Sequence, residues 1–92
     1  MNNSSRIILD VRTPGEYASG HLPGAVNIDC SSKAFETEIG KLDKSLDYLV
    51  YCHMGNRSAW AVSVMKARGF RSLKNLDGGI AQWAAEKRPI VA

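Results

Sequence analysis

The 92-residue sequence predicts a small α/β domain, with a parallel sheet of about four strands and helices on both faces. Two observations lead to this fold class. Short β-rich segments alternate along the chain with segments of helical character. Turns rich in glycine and proline separate these segments, and no repeat, linker or low-complexity tract interrupts them. A single domain over residues 1–92 therefore accounts for the whole sequence.

The first strand and the first helix are predicted by composition and by a helix start signal. Residues 6–11 (RIILDV) form a short β-rich run. After them, Thr13 is placed as an N-cap, Pro14 occupies the first helical position and Glu16 the third. This pattern predicts a short helix that continues to about Ser19.

The second strand and the second helix follow the same logic. Residues 25–28 are predicted as a strand introduced by the turn pair at 23–24 (PG). Phe35, Ile39 and Leu42 then recur with the spacing of one helical face. They predict an amphipathic helix whose apolar stripe packs against the sheet.

The third strand runs over residues 48–51 and leads into the strongest predicted helix, residues 58–68. Gly69 provides the C-terminal stop of that helix. Its predicted apolar face consists of small and aliphatic side chains: Ala59, Ala61, Val62 and Met65.

The last strand and helix complete the alternation. Residues 72–76 are predicted as the fourth strand, and residues 77–79 (DGG) as a turn. Residues 80–87 form the last predicted helix, which carries Trp83 and ends before Pro89.

Composition excludes several classes of function. The net charge is +3, but Lys and Arg are scattered among acids, so we expect no nucleic-acid partner. No apolar run approaches the length of a membrane span, so we expect no membrane partner. Cys30 and Cys52 form no CxxC pair, and His21 and His53 do not complete a metal site. We therefore predict neither a disulfide framework nor a bound metal.

Cys52 is the candidate catalytic residue. It directly follows the third strand, and ligands of parallel sheets bind at the carboxyl ends of the strands. The turn after it opens a helix, whose backbone N–H groups and dipole favour a thiolate. The alternative is an inert cysteine buried at a strand end, but a core cysteine does not need a polar loop after it. The predicted anion-binding loop consists of the six residues His53, Met54, Gly55, Asn56, Arg57 and Ser58.

The sequence resembles the single-domain rhodaneses, a family of sulfurtransferases. Three blocks carry the resemblance: DVR, EY and GHLPGA within residues 10–25; Cys52-x-x-Gly55-x-Arg57-Ser58; and LDGGxxxW over residues 76–83. The resemblance implies a rhodanese-like fold, with Cys52 as the catalytic residue that carries a persulfide. It also implies a small anionic sulfur donor such as thiosulfate, an acceptor that is cyanide, a thiol or a protein cysteine, and no cofactor.

Loop length separates the chemistries that share this fold. Four residues lie between Cys52 and Arg57, one fewer than in the related phosphatases and arsenate reductases. The shorter loop favours sulfur transfer over those two activities. A persulfide carrier that serves a partner protein is the alternative outside enzymology. We expect a monomer in the cytoplasm, or in the periplasm if a signal peptide has been removed.

Roles for the remaining polar and aromatic residues are less determined. Arg57 is predicted either to bind the sulfonate of thiosulfate or to brace the loop through an ion pair with an acid such as Glu16. His53 is expected to lend its backbone N–H, with the side chain facing the mouth of the site. Other residues have predicted structural roles: Asp10, Arg12 and His21 as scaffold, Gly78 and Gly79 as a close-approach turn, Trp83 as core, Trp60 as partly exposed, and Cys30 as incidental rather than a resolving thiol.

Overall fold

The computed structural model of the chain describes residues 6–92. Within these residues strands and helices alternate strictly, as the sequence predicts. The elements are β1 (Arg6–Asp10), α1 (Pro14–Ser19), β2 (Val26–Asn27), α2 (Phe35–Gly40), β3 (Asp47–Tyr51), α3 (Asn56–Ala67), β4 (Ser72–Asn75) and α4 (Gly79–Ala85).

The strands form one parallel sheet in the order β2-β1-β3-β4. β1 and β3 occupy the centre, and Asp10 lies opposite Tyr51 at their carboxyl ends. Cys52 directly follows Tyr51, so it lies just beyond the carboxyl end of β3, a strand with a neighbour on each side. The candidate site therefore lies at the middle of the carboxyl edge, where parallel sheets bind their ligands.

One face of the sheet packs against α2 and α3. Alternate residues of the central strands, such as Leu9 and Val50, point to this face and are fully buried. The buried members of this cluster are Leu9, Val11, Phe35, Ile39, Tyr48, Val50, Cys52, Ala61, Met65 and Phe70. The cysteine thus belongs to the larger apolar core.

The other face packs against α1 and α4 in a smaller cluster. Tyr17 of α1 and Ile80 and Trp83 of α4 contact it, together with Tyr51 from the sheet. Helices therefore cover both faces, which confirms the predicted fold class. No helix in the described part of the chain is long and apolar enough to cross a membrane.

Three local predictions need correction. α3 begins at Asn56 rather than at residue 58, because Gly55 adopts the left-handed conformation (φ 112°) and ends the turn earlier. As a result Ser58 is buried on the inner face of α3, whereas Ala59 is exposed. β2 covers only Val26–Asn27, since it is an edge strand with β1 as its one neighbour. The bounds of the other elements agree with prediction to within about two residues.

Candidate active site

Cys52 lies beneath the loop that follows β3. Its side chain points to the α3 face, and the residue is 1% exposed. The Gly55 N–H donates a hydrogen bond to the sulfur at 3.1 Å, and the Ser58 hydroxyl oxygen lies 3.4 Å from it. The sulfur thus faces the start of α3, where unpaired N–H groups and the helix dipole favour an anion.

The pKa of Cys52 is held below its ordinary value. Burial opposes ionisation of the thiol, but hydrogen bonds to the sulfur outweigh that effect. The donors are the side chain and backbone of Ser58 and the backbone N–H groups of Gly55 and Arg57. Since the thiolate is the reactive form of cysteine, this environment prepares a nucleophile.

Asn75, at the end of β4, forms hydrogen bonds with Gly55 and Ser58, two of the residues that donate to the Cys52 sulfur. Its Nδ2 donates to the Gly55 carbonyl at 3.3 Å, and its Oδ1 lies 2.5 Å from the Ser58 hydroxyl oxygen. The single hydroxyl proton of Ser58 therefore has three acceptors within reach: Asn75, the Gly55 carbonyl at 3.2 Å and Cys52. Sequence reasoning missed Asn75. The available signal was strand alternation, which places it on the same face as the core residue Leu73.

The turn before α4 supports the loop from the other side. The N–H groups of Ile80 and Ala81 donate to the carbonyl oxygens of Cys52 and His53, each at 2.9 Å. Gly79 adopts a φ of 60°, and a Cβ atom there would overlap both of those carbonyl oxygens. This confirms that the turn at 77–79 approaches the loop closely, and glycine is the residue that permits it.

Arg57 forms an ion pair with Glu16 of α1. Its two terminal nitrogens donate to the two carboxylate oxygens at 2.8 and 2.9 Å, a bidentate geometry. Hydrogen bonds from Arg57, and further ones from Thr13, lower the pKa of Glu16 to about 2 despite partial burial. The same pairing raises the pKa of Arg57. The bracing ion pair, one of the two roles predicted for Arg57, is therefore present, and sulfonate binding stays a prediction.

A buried polar cluster lies at the carboxyl end of β1. The Asp10 carboxylate accepts hydrogen bonds from the Arg12 guanidinium at 2.7 Å and from the Tyr51 hydroxyl at 2.6 Å. Arg12 also donates to the Gly20 carbonyl at 2.6 Å, and Tyr51 accepts from the Leu22 N–H at 3.1 Å. Asp10 and Arg12 therefore fix the segment after α1, as predicted. The part of Tyr51 in this cluster was not foreseen.

His21 belongs to the same region of scaffold. Its ring stacks on Tyr17 with centroids 3.8 Å apart, and its backbone pairs with Val91 in an antiparallel bridge. Its Nδ1 lies 2.8 Å from the Tyr17 carbonyl oxygen. These contacts agree with the predicted structural role of His21.

The outer surface of the loop is open to solvent. His53, Met54 and Asn56 are exposed, with Met54 at 67%. Trp60, on the following turn of α3, is half exposed, as predicted. Trp83 is partly buried and packs against the smaller core cluster, so the predicted core role is confirmed in part. Its Nε1 donates to the Pro89 carbonyl at 2.7 Å, so the nitrogen edge of the ring faces the segment that follows α4.

Cys30 lies near Cys52 but differs from it in character. It is half buried, packs against the same core cluster and donates its backbone N–H to the Val11 carbonyl at 3.0 Å. Burial raises the pKa of its thiol, in contrast to that of Cys52. Within residues 6–92, no group of three or more His, Cys, Asp or Glu side chains is placed to hold a metal ion.

A cysteine at the end of a central parallel strand, under amides at the start of a helix, defines a class of small cysteine-dependent α/β domains. The chain belongs to the rhodanese-like domain family, whose sequence profile matches residues 1–86. This confirms the predicted family.

Individual relatives agree with this assignment. A sulfurtransferase of Allochromatium vinosum is 34% identical, over 94% of this chain and 78% of its own length. Thiosulfate sulfurtransferase GlpE of Pseudomonas entomophila is 35% identical, over 84% of this chain and 69% of its own. The crystal structure of a rhodanese-related protein from Thermoplasma volcanium superposes with a TM-score of 0.86 at 33% identity, and covers 95% of this chain and 84% of that one. The chain is therefore a member of a family whose named relatives include sulfurtransferases and a putative sulfur carrier protein of Bacillus subtilis.

Proposed function

We propose that the domain transfers sulfane sulfur through a persulfide on Cys52, taken from thiosulfate or a similar donor and passed to cyanide, a thiol or a protein cysteine. One observation carries the proposal. The Cys52 sulfur lies under the Gly55 N–H at 3.1 Å, in surroundings that lower its pKa. A thiolate at neutral pH is the requirement for the first step.

The reaction balances as two displacements at sulfur. In the first, the Cys52 thiolate attacks the outer sulfur of thiosulfate. The new S–S bond forms as the old one breaks, and sulfite leaves with the electron pair. In the second, cyanide or a thiolate attacks the outer sulfur of the persulfide, and the Cys52 thiolate leaves. No metal or organic cofactor enters either step.

The loop amides support the intermediate as well as the nucleophile. The Gly55 N–H donates to the Cys52 sulfur before the reaction begins, and the backbone N–H groups of Arg57 and Ser58 also help to lower the pKa of that thiol. Fixed donors of this kind stabilise developing negative charge without further reorganisation. The four-residue spacing between Cys52 and Arg57 supports a cradle sized for one sulfur atom rather than for a tetrahedral oxyanion.

Intact mass spectrometry tests the proposal directly. Incubation with thiosulfate should add the mass of one sulfur, and cyanide or dithiothreitol should remove it. Cys52→Ser should abolish both the adduct and thiocyanate formation, whereas Cys30→Ser should retain most of both. Equal loss in the two variants would contradict a single nucleophile and assign Cys30 as a resolving thiol.

Two further assays separate the alternatives. Multiple turnovers with free thiosulfate and cyanide distinguish an enzyme from a carrier, which would be loaded by a partner protein and turn over poorly with free donor. Negligible hydrolysis of p-nitrophenyl phosphate is expected. Phosphatase turnover that depends on Cys52 would overturn the proposed sulfur transfer.

A further inference from the structure

Arg57 is the only Lys or Arg in the loop of residues 52–58, and its guanidinium is already engaged. Its two terminal nitrogens bind the two carboxylate oxygens of Glu16. A sulfonate would compete for the same fork of donors, because guanidinium binds carboxylates and tetrahedral oxyanions such as phosphate in a bidentate manner. Glu16 therefore competes directly with the sulfonate end of thiosulfate for the one cation of the loop.

Glu16 is held in this position by α1 as well as by Arg57. Its Oε1 accepts hydrogen bonds from the Thr13 N–H and the Thr13 hydroxyl, each at 3.1 Å, within the capping box of α1. With a pKa of about 2, Glu16 stays ionised at any ordinary working pH, so protonation does not free Arg57.

From this competition we propose that Glu16 is a specificity-determining residue that makes the site select alkyl or protein persulfides over thiosulfate as sulfur donors. The proposal rests on the proposed function, namely sulfur transfer through Cys52. Thiosulfate carries two negative charges and must either displace Glu16 from Arg57 or bind near a carboxylate without a cation of its own. A persulfide donor has no sulfonate and needs only to bring its outer sulfur to Cys52.

The favoured donor step balances without an oxidant or reductant. The Cys52 thiolate attacks the outer sulfur of R–S–SH, the S–S bond of the donor breaks, and RS⁻ leaves with the electron pair. The product is the Cys52 persulfide, which is the same intermediate that thiosulfate would give. The two donor classes can therefore be compared by one readout, the rate at which Cys52 gains a sulfur.

Glu16→Gln tests the proposal, because glutamine keeps the size of the side chain and removes its charge. The rate of Cys52 persulfide formation is followed by intact mass at increasing concentrations of thiosulfate, and separately of 2-hydroxyethyl persulfide, whose carbon side is uncharged. The half-saturating thiosulfate concentration should fall about threefold to tenfold, the gain expected from one charge-assisted contact at a partly exposed guanidinium. The value for 2-hydroxyethyl persulfide should change less than about twofold, since that donor makes no such contact.

Two control variants isolate the mechanism. Glu38→Gln removes a carboxylate paired with Lys41 on α2 and should leave both donor curves unchanged. Adding Arg57→Gln to Glu16→Gln should return the half-saturating thiosulfate concentration at least to the wild-type value. If the half-saturating thiosulfate concentration stayed low in the double variant, the proposal would be overturned. The decrease would then come from the loss of a negative charge alone and not from the release of Arg57.

The outcomes also separate this inference from the proposed function. If the unmodified protein forms no Cys52 persulfide with either donor, sulfur transfer itself is wrong, and the inference about donors falls with it. If the persulfide forms but Glu16→Gln leaves the half-saturating thiosulfate concentration unchanged or raises it, the donor inference is overturned and sulfur transfer stands. Circular dichroism and thermal denaturation of each variant confirm that the kinetic comparison is made on folded protein.

Discussion

The backbone N–H of Ile80 donates a 2.9 Å hydrogen bond to the carbonyl oxygen of Cys52. The last helix is therefore attached at its N-terminus to the residue that carries the reactive sulfur. Ordinarily the first N–H groups of a helix need a capping side chain or water. Here the carbonyls of the loop satisfy two of them, so the loop and α4 fix each other.

Gly79→Ala should damage this attachment. The residue has a φ of 60°, and its Cβ would overlap the carbonyl oxygens of Cys52 and His53. We expect a loss of about 1–3 kcal/mol in the free energy of unfolding, together with slower persulfide formation. Urea denaturation and donor-loading rates measure the two effects.

Gly40→Ala is the matched control, because no atom lies within 4 Å of a Cβ at that position. It should not destabilise the fold, because alanine at a compatible helical position leaves the free energy of unfolding unchanged or raises it by up to about 1 kcal/mol. If Gly79→Ala also cost no stability, the close approach of the turn to the loop would not matter energetically.

Alkylation by iodoacetamide should report the lowered pKa of Cys52. In a Cys30→Ser background, the midpoint of the rate against pH should lie below the ~8.5 of a free cysteine, because the loop donors favour the thiolate. A midpoint at or above the free value would mean that the amide cradle is not formed in the resting protein.

Ser58→Ala and Asn75→Ala should move that midpoint in opposite directions. Removing the Ser58 hydroxyl deletes a donor to the sulfur and should raise the pKa of Cys52. Removing Asn75 deletes the closest competing acceptor, at 2.5 Å, and leaves only the Gly55 carbonyl, at 3.2 Å, to compete with the sulfur for the hydroxyl proton, so the pKa should fall. Shifts in the same direction in both variants would show that Asn75 acts through loop geometry instead of through the Ser58 proton.

The Glu16–Arg57 pair should stabilise the fold in a pH-dependent way. The folded-state pKa of Glu16 is about 2, below its ordinary 4.5. The contribution of the pair is therefore fully present above about pH 4.5 and is lost as the pH falls toward 2. The difference in melting temperature between wild type and Glu16→Gln should shrink across that interval. A difference that is constant from pH 6 to pH 2 would contradict the assigned pKa shift.

Much of the fold follows from local sequence. The capping box at Thr13 and Glu16 forms as the spacing predicts, and the predicted apolar stripe of α2 places Phe35 and Ile39 in the core. The position of Cys52 at the carboxyl edge of the sheet follows from similar reasoning, because parallel strands all end at the same edge. The central place of β3 in that sheet is a finding of the structure. These features depend on residues close together in the chain, where propensity and periodicity act.

The partners of the loop were decided by tertiary structure. Arg57 meets Glu16 from 41 positions away, and Ser58 meets Asn75 from 17. The sequence alone left Arg57 with two possible roles and gave Asn75 none. Its pattern specifies which residues reach the carboxyl edge of the sheet but not which of them meet there. That pairing depends on how α1, β4 and α4 pack around β3, and packing is determined by the whole chain at once.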